Sequence, residues 1–247
     1  MLEPVRPATL SHLSGAGLRD HLAPVYEAIA RVAQALPADI ALIGFAGGPW
    51  TVASYMVEGG TSRDFAALKS WAYTDPDDFA ALIDLLVDAI VEHLCAHIEA
   101  GAEAVQLFES WAGILPAPAF ARWCVQPVAA IVKRVKAAHP DIPVIAFPRG
   151  AGVLYRGYAK ATGVDAVGLD TTVPTDWAAE VLQPQSVVQG NLDPQLLVTG
   201  GTAMAEAARA IIADLNHGPF VFNLGHGVVP ETPPEHVAEL AAIIRGG

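Results

Sequence analysis

Two cysteines, Cys95 and Cys124, in a chain of 247 residues are too few for a disulfide framework or an all-cysteine zinc site. They fit a reducing compartment in which each thiol acts as a small buried hydrophobe. Long apolar runs are lacking too: none reaches the roughly 20 residues needed to span a bilayer, and the opening MLEPVR lacks the basic-then-apolar layout of a secretory signal. Cytoplasmic residence without a membrane partner is the expectation. Basic residues are scarce, 14 against 26 acidic for a net charge of -12, which argues against a nucleic-acid surface or an anionic membrane as partner. An anionic small molecule stays compatible wherever a local cation stands. Neither a Walker lysine nor a Rossmann glycine fingerprint is present.

What is present is apolar and rhythmic. Hydrophobic residues make up 53% of the chain and mean hydropathy is +0.38, ample for a sizeable core. Runs at Ile40–Phe45, Ala104–Phe108, Pro143–Phe147, Ala166–Leu169, Ser186–Gln189 and Phe220–Asn223 read as strands. Helical stretches precede, separate or follow them. Leu22–Leu36 carries a stripe of Val25, Ile29, Val32 and Leu36, and Asp75-Pro76 caps a helix that runs to about Ala100 and stops at Gly101. Further helices are read near Ala117–Ala138, Leu154–Ala161, Thr175–Val181, Ala203–Leu215 and Pro234–Ile244, whereas residues 1–17 read as a lead-in without sustained periodicity. Such alternation predicts a parallel sheet covered by helices. Polar or glycine-rich clusters follow nearly every strand: GFAGG, FESWAG, FPRGAG, LDTT, QGNLDP and NLGHG. Functional groups on so many successive strand ends point to a TIM-type (β/α) barrel with one mouth rather than to a doubly wound sheet. Six strands leave that barrel about two units short of eight, so a single, partial barrel domain over residues 1–247 is predicted.

The chain is organised around IALIGFAGGPWTVASYMVEGGTS, Ile40 to Ser62, where a strand ends in a glycine-rich turn. Tyr55, just past that turn, offers a phenol that can donate to a carboxylate or hold a neighbouring acid. In Phe108-Glu109-Ser110-Trp111, alternation puts Phe108 and Ser110 on one face and Glu109 on the other, where a structural hydrogen bond suits it. Without a Gly-x-Ser-x-Gly elbow, Ser110 reads as a hydroxyl donor rather than a nucleophile. Arg149 is the clearest cation at a strand end, either a carboxylate clamp or one half of a surface ion pair. Asp193-Pro194 reads as a helix cap, and Asp170 as a weaker acid candidate. His226, between two glycines, is exposed at a turn and can change charge near neutrality. His93 and His97 have the i, i+4 spacing of a shared metal, but no third ligand is evident and Cys95 points elsewhere. They read as a solvated helix flank, and no metal is expected. Aromatic walls, hydroxyls, an imidazole and a guanidinium together suggest a flat, acidic substrate handled with no bound cofactor.

GFAGGPWT with YMVEGG, then QLFESWAG, QGNLDP and NLGHGVVPETPPEHV, in this order over essentially the whole chain, resemble the uroporphyrinogen decarboxylase family. The resemblance implies an (α/β) barrel, usually a homodimer, acting on a tetrapyrrole with no metal or organic cofactor. It implies removal of the four acetate carboxyl groups of uroporphyrinogen to give coproporphyrinogen in haem biosynthesis. By motif match it implies substrate contacts at Tyr55, Ser110 and His226, with Tyr55 and His226 catalytic, and a pocket lined by Phe45 and Phe108. A pyrrole would be protonated, CO₂ would leave, and the carbon would be reprotonated, so the protein supplies charge stabilisation rather than a prosthetic group.

Two family features have no counterpart in this sequence: the R-x-A-G-R-x-x-P-E-Y segment and a strand ending in F-S-D, whose aspartate holds the pyrrole N–H groups. The expectation is therefore an N-terminally truncated or alternatively started member, impaired as a 247-residue chain. Two other readings stand beside it. One is a non-catalytic tetrapyrrole-binding remnant that keeps Tyr55, Ser110 and His226. The other is a corrinoid-linked methyltransferase of the same superfamily, which needs zinc-binding His and Cys at strand ends where this chain has FPRG.

Overall fold

A computed structural model of the chain describes residues 3–60 and 62–246, so Thr61 of the organising stretch lies outside the described residues. Six strands, β1 (Ile43–Gly47), β2 (Ala104–Glu109), β3 (Val144–Pro148), β4 (Ala166–Gly168), β5 (Val187–Leu192) and β6 (Phe220–Leu224), form one sheet in sequence order. Every neighbouring pair is parallel. α1 (Leu18–His21) and α2 (Ala23–Ala35) precede β1, and α3 (Pro49–Glu58), α4 (Ala66–Thr74) and α5 (Pro76–Glu99) lead to β2. α6 (Ala117–Phe120) and α7 (Gln126–Ala138), joined by a π turn over Ala121–Val125, lead to β3. α8 (Tyr158–Thr162) precedes β4, α9 (Thr175–Val181) precedes β5, α10 (Pro194–Thr199) and α11 (Gly201–Leu215) precede β6, and α12 (Pro234–Ile244) follows. This is a (β/α) barrel with six of the usual eight strands among the described residues. No helix among the described residues is long and apolar enough to cross a membrane.

Local chemistry explains the element ends. Asp75 accepts the amide of Asp78 at 3.1 Å and Pro76 opens α5, as the cap pair predicts. Asp193 caps α10 in the same way, taking the amide of Gln195 at 2.9 Å, which makes it structural. β1 starts at Ile43 rather than at Ile40, because the Ile40 amide turns back to the Pro37 carbonyl at 3.0 Å. The lead-in contains a 3-10 turn at Pro7–His12 and docks on α3 through Val5 N–H to Met56 O and Arg6 Nη1 to Val57 O, both 2.8 Å.

The core lies between the helices and the outer face of the sheet. Val105 and Leu107 on β2, Val144 and Ala146 on β3, Val167 on β4 and Val188 on β5 meet Leu82, Leu94, Ile131 and Val135. Each fully buried side chain of that size contributes roughly 1.5–3 kcal/mol by leaving water. Around Phe79, Trp71 and Trp123 stand with ring centroids 5.5 and 4.9 Å away, and Trp50 at 6.0 Å.

One sequence expectation is corrected at the β1 edge. No residue of α2 is buried, and Val25 and Val32 of its stripe are 41% and 45% exposed. The reason is positional: α2 flanks β1, whose far edge has no strand partner among the described residues, so the stripe lies along an open groove. His97, expected on a solvated flank, is instead buried under β1 with neither ring nitrogen partnered among the described residues, so close to Gly44 that a Cβ there would lie 2.8 Å from its Nδ1. Its neighbour His93 shares Nδ1 with the Tyr26 hydroxyl at 3.1 Å.

Candidate active site

Register partners in a parallel pair share a face of the sheet. Phe108 on β2 stands opposite Phe147 on β3, and Phe45 on β1 opposite Gln106 on β2. The rings form a continuous row, Phe45 to Phe108 at 6.0 Å, Phe108 to Phe147 at 6.0 Å and Phe147 to His226 at 6.5 Å, the last pair 30° from parallel. His226 reaches the row from the turn after β6, where the Gly225 amide is held by the Leu192 carbonyl at 2.8 Å. Phe108, Phe147 and His226 line a cavity of about 230 Å³ together with Gln106, Gln189 and Asn223. Burial lowers the His226 pKa and the Arg149 charge lowers it further, so the imidazole is neutral at neutral pH and offers one donor and one acceptor. Phe45, at the free edge of the row, is 60% exposed.

Beside the row, Ser110 and Arg149 line a second cavity of about 270 Å³ with Trp111, Gly113, Asp170 and Thr172. The surface ion pair weighed for Arg149 does not form: the half-buried guanidinium makes no salt bridge among the described residues. Asp170 is committed elsewhere. It accepts the Gly150 amide at 2.7 Å, the Thr172 amide at 2.9 Å, the Tyr155 hydroxyl at 3.2 Å and the Thr172 hydroxyl. Burial pushes its carboxyl up, but these bonds outweigh that and hold it below its ordinary pKa. It orders the loops after β3 and β4 rather than serving as a free acid.

Tyr55 does not join the row. It stands 41% exposed on α3, its ring 6.4 Å from that of Trp111. The residues singled out in the sequence therefore fall in three adjoining places: Phe45, Phe108 and His226 in the row, Ser110 and Arg149 in the second cavity, Tyr55 beside Trp111. Phe147, Gln106 and Gln189 went unnoticed as site residues. Strand parity held the signal, since AVQLF and SVVQ each carry a glutamine amid apolar residues, and Phe147 ends its run as Phe108 does. Among the described residues no three His, Cys, Asp or Glu are grouped to hold a metal. Cys95 and Cys124 are buried free thiols in helical segments, away from the strand ends.

Parallel strand ends that present an aromatic row, a neutral imidazole and a guanidinium without a salt bridge among the described residues form the candidate site of a barrel-type enzyme. The sequence profile of the uroporphyrinogen decarboxylase (URO-D) family matches residues 1–246, and the chain belongs to that family. It is 53% identical over 238 residues to the uroporphyrinogen decarboxylase of Rhodospirillum rubrum, covering 96% of this chain and 68% of that protein. With the protein of the same name from Sphingopyxis alaskensis it shares 51% over 244 residues, 99% of this chain and 71% of that one. A methyltransferase from Methanosarcina mazei superposes with a TM-score of 0.78 at 20% identity, covering 94% of this chain and 66% of that one. A B12-independent methionine synthase from Shewanella sp. W3-18-1 gives 0.61 at 12% identity, covering 90% and 66%. At those identities the likeness speaks to the fold alone, and sequence kinship favours a decarboxylase over a methyltransferase. The chain spans about two thirds of the length of these relatives.

Proposed function

We propose that this chain binds uroporphyrinogen and carries residues that remove its acetate carboxyl groups. The observation that carries the reading is the row Phe45, Phe108, Phe147 and His226, ending beside an Arg149 that makes no salt bridge among the described residues. Pyrrole rings pack on the phenyl faces. Arg149 and the Ser110 hydroxyl pair with side-arm carboxylates, while Tyr55 donates from α3. In each round a ring carbon takes a proton, the bond between the acetate methylene and its carboxylate breaks, and the electron pair enters the protonated ring as CO₂ leaves. The methylene carbon then takes a proton to become methyl and the ring gives its proton back, so one proton is consumed per CO₂. Neutral His226 and the Tyr55 phenol hold protons at this step. One domain, a cytoplasmic location and a homodimeric state belong to the same reading.

Turnover is expected to be slow. Glu109 and Asp170, the buried acids at the β2 and β4 ends, are both tied up in hydrogen bonds, which leaves neither to hold the pyrrole N–H groups. Loss of one such electrostatic group costs about 10² to 10³ in rate. Anaerobic incubation with uroporphyrinogen, followed by oxidation and chromatography, should show partly decarboxylated products forming at least about a hundredfold more slowly than with the Rhodospirillum rubrum relative. Equal rates would overturn the impairment. Binding without any product would favour the non-catalytic remnant, and absence of both would overturn the tetrapyrrole reading.

A further inference from the structure

Glu109 is 1% exposed and has no salt bridge among the described residues, although it ends a strand at the mouth of the site. Its carboxylate accepts the amide of Trp50 at 3.1 Å, the amide of Thr51 at 2.9 Å and the hydroxyl of Thr51 at 2.8 Å, all on the first turn of α3. The residues around it are fastened to the same turn. The Gly48 amide donates to the Phe108 carbonyl at 2.9 Å and the Trp50 indole N–H to the Trp111 carbonyl at 3.1 Å. Gly48 is a requirement of this seat, because a Cβ there would lie 2.3 Å from the Glu109 carboxyl carbon. One turn further along α3 stands Tyr55, and between Glu109 and Trp111 stands Ser110.

We propose that Glu109 is a positioning residue: its carboxylate locks α3 to the end of β2 and so holds Tyr55 in a fixed relation to Ser110. The role rests on the tetrapyrrole reading of those two side chains. Three donors and the positive end of α3 favour the ionised form, whereas burial, the larger influence, pushes the carboxyl up to about 7. The titratable groups that sense its charge are Cys124 in the π turn and Tyr158 on α8, both kept neutral by burial, so neither supplies a counter-charge. Ionised, the carboxylate satisfies all three donors. Protonated, it turns an O–H toward a cluster of donors and one bond must give. The lock is therefore complete above about pH 7 and loosened below it. Stability moves the other way. A carboxyl whose folded pKa lies above its unfolded value of 4.5 contributes stability that is full below 4.5 and lost as pH rises through about 7.

Glu109→Gln keeps the shape and removes the titration. Binding of uroporphyrin, the oxidised octa-acid, is to be measured by fluorescence for both proteins between about pH 5.5 and 8.5, alongside the NMR resonances of Tyr55. The wild-type advantage over the Glu109→Gln protein is expected to grow from near unity at the acid end to about tenfold at the alkaline end, the effect of one charge-assisted hydrogen bond. Tyr55 resonances should shift through neutral pH in the wild type and stay fixed in the variant. A binding ratio that does not change with pH, or Tyr55 shifts that are the same in both proteins, overturns the positioning role. If neither protein binds the porphyrin, the tetrapyrrole reading fails and the Tyr55 resonances alone decide. Should Glu109→Gln not fold, Thr51→Val removes one donor and is expected to give a smaller loss that Thr51→Ser restores. Equal binding by Thr51→Val and wild type then counts against the lock.

Discussion

Removing the Arg149 guanidinium should raise the pKa of His226, because the cation is one of two influences that hold the imidazole below its ordinary value. Arg149→Gln is expected to shift the His226 titration upward in an NMR pH series, and Arg149→Lys to leave it near the wild-type position. An unchanged midpoint in Arg149→Gln would show that burial alone sets it. The same substitution deprives the second cavity of its cation, so weaker binding of acids and a higher imidazole pKa should appear together. His226, Ser110 and Phe108 were legible from the sequence because each sits in a short local signature at a strand end. Phe147 was not, since its place in the row depends on standing opposite Phe108 across β2 and β3, a register that no local pattern states. Glu109 was half legible. Alternation turned it away from the site and toward a structural bond, but its partners lie 58 and 59 residues away in sequence.

Between elements, the groove bounded by α2, α5 and β1 holds the least satisfied side chain of the α5 helix. Burial, with a contribution from His93, pushes the His97 pKa down to about 4, and both ring nitrogens lack partners among the described residues. A histidine lowered in this way adds no penalty above its unfolded value of 6.5; stability is lost as pH falls from 6.5 toward about 4. His97→Leu should therefore flatten the acid limb of stability over that interval. It should also stabilise the protein by about 1 kcal/mol near neutrality, by removing buried polar atoms that bond to nothing. Urea unfolding followed by tryptophan fluorescence at several pH values checks both, and an acid limb as steep as that of wild type would contradict the assignment. All six strands were readable as apolar, β-branched runs, because a sheet covered by helices needs them on its outer face. α3 was not read as a helix: behind Pro49, which suits a first helical position, Trp50, Thr51 and Val52 are weak helix formers, and the carboxylate that secures the turn comes from a strand far along the chain. The α2 stripe was legible as a periodic face, whereas its exposure was not, since burial depends on what packs against that face.

As a whole molecule, the described chain is a sheet with two free edges. β1 and β6 each pair on one side, and Ile43, Phe45 and Val221 beside those edges are 40%, 60% and 44% exposed. Unpaired edges of this kind recruit other chains, and a net charge of -12 opposes that approach. Association is thus expected to grow with protein concentration and to strengthen when salt screens the charge, as sedimentation velocity can show; a monomer indifferent to both would argue that the edges are inert. The seat for an acidic tetrapyrrole is the claim on which the functional reading depends. Its most direct test is a fluorescence titration with uroporphyrin and coproporphyrin, comparing the wild type with the double variant Phe147→Ala/Arg149→Gln. A saturable one-to-one site that prefers the octa-acid, and that loses about tenfold or more in affinity in the double variant, is the predicted result. Equal affinity of the double variant and the wild type for uroporphyrin would contradict it.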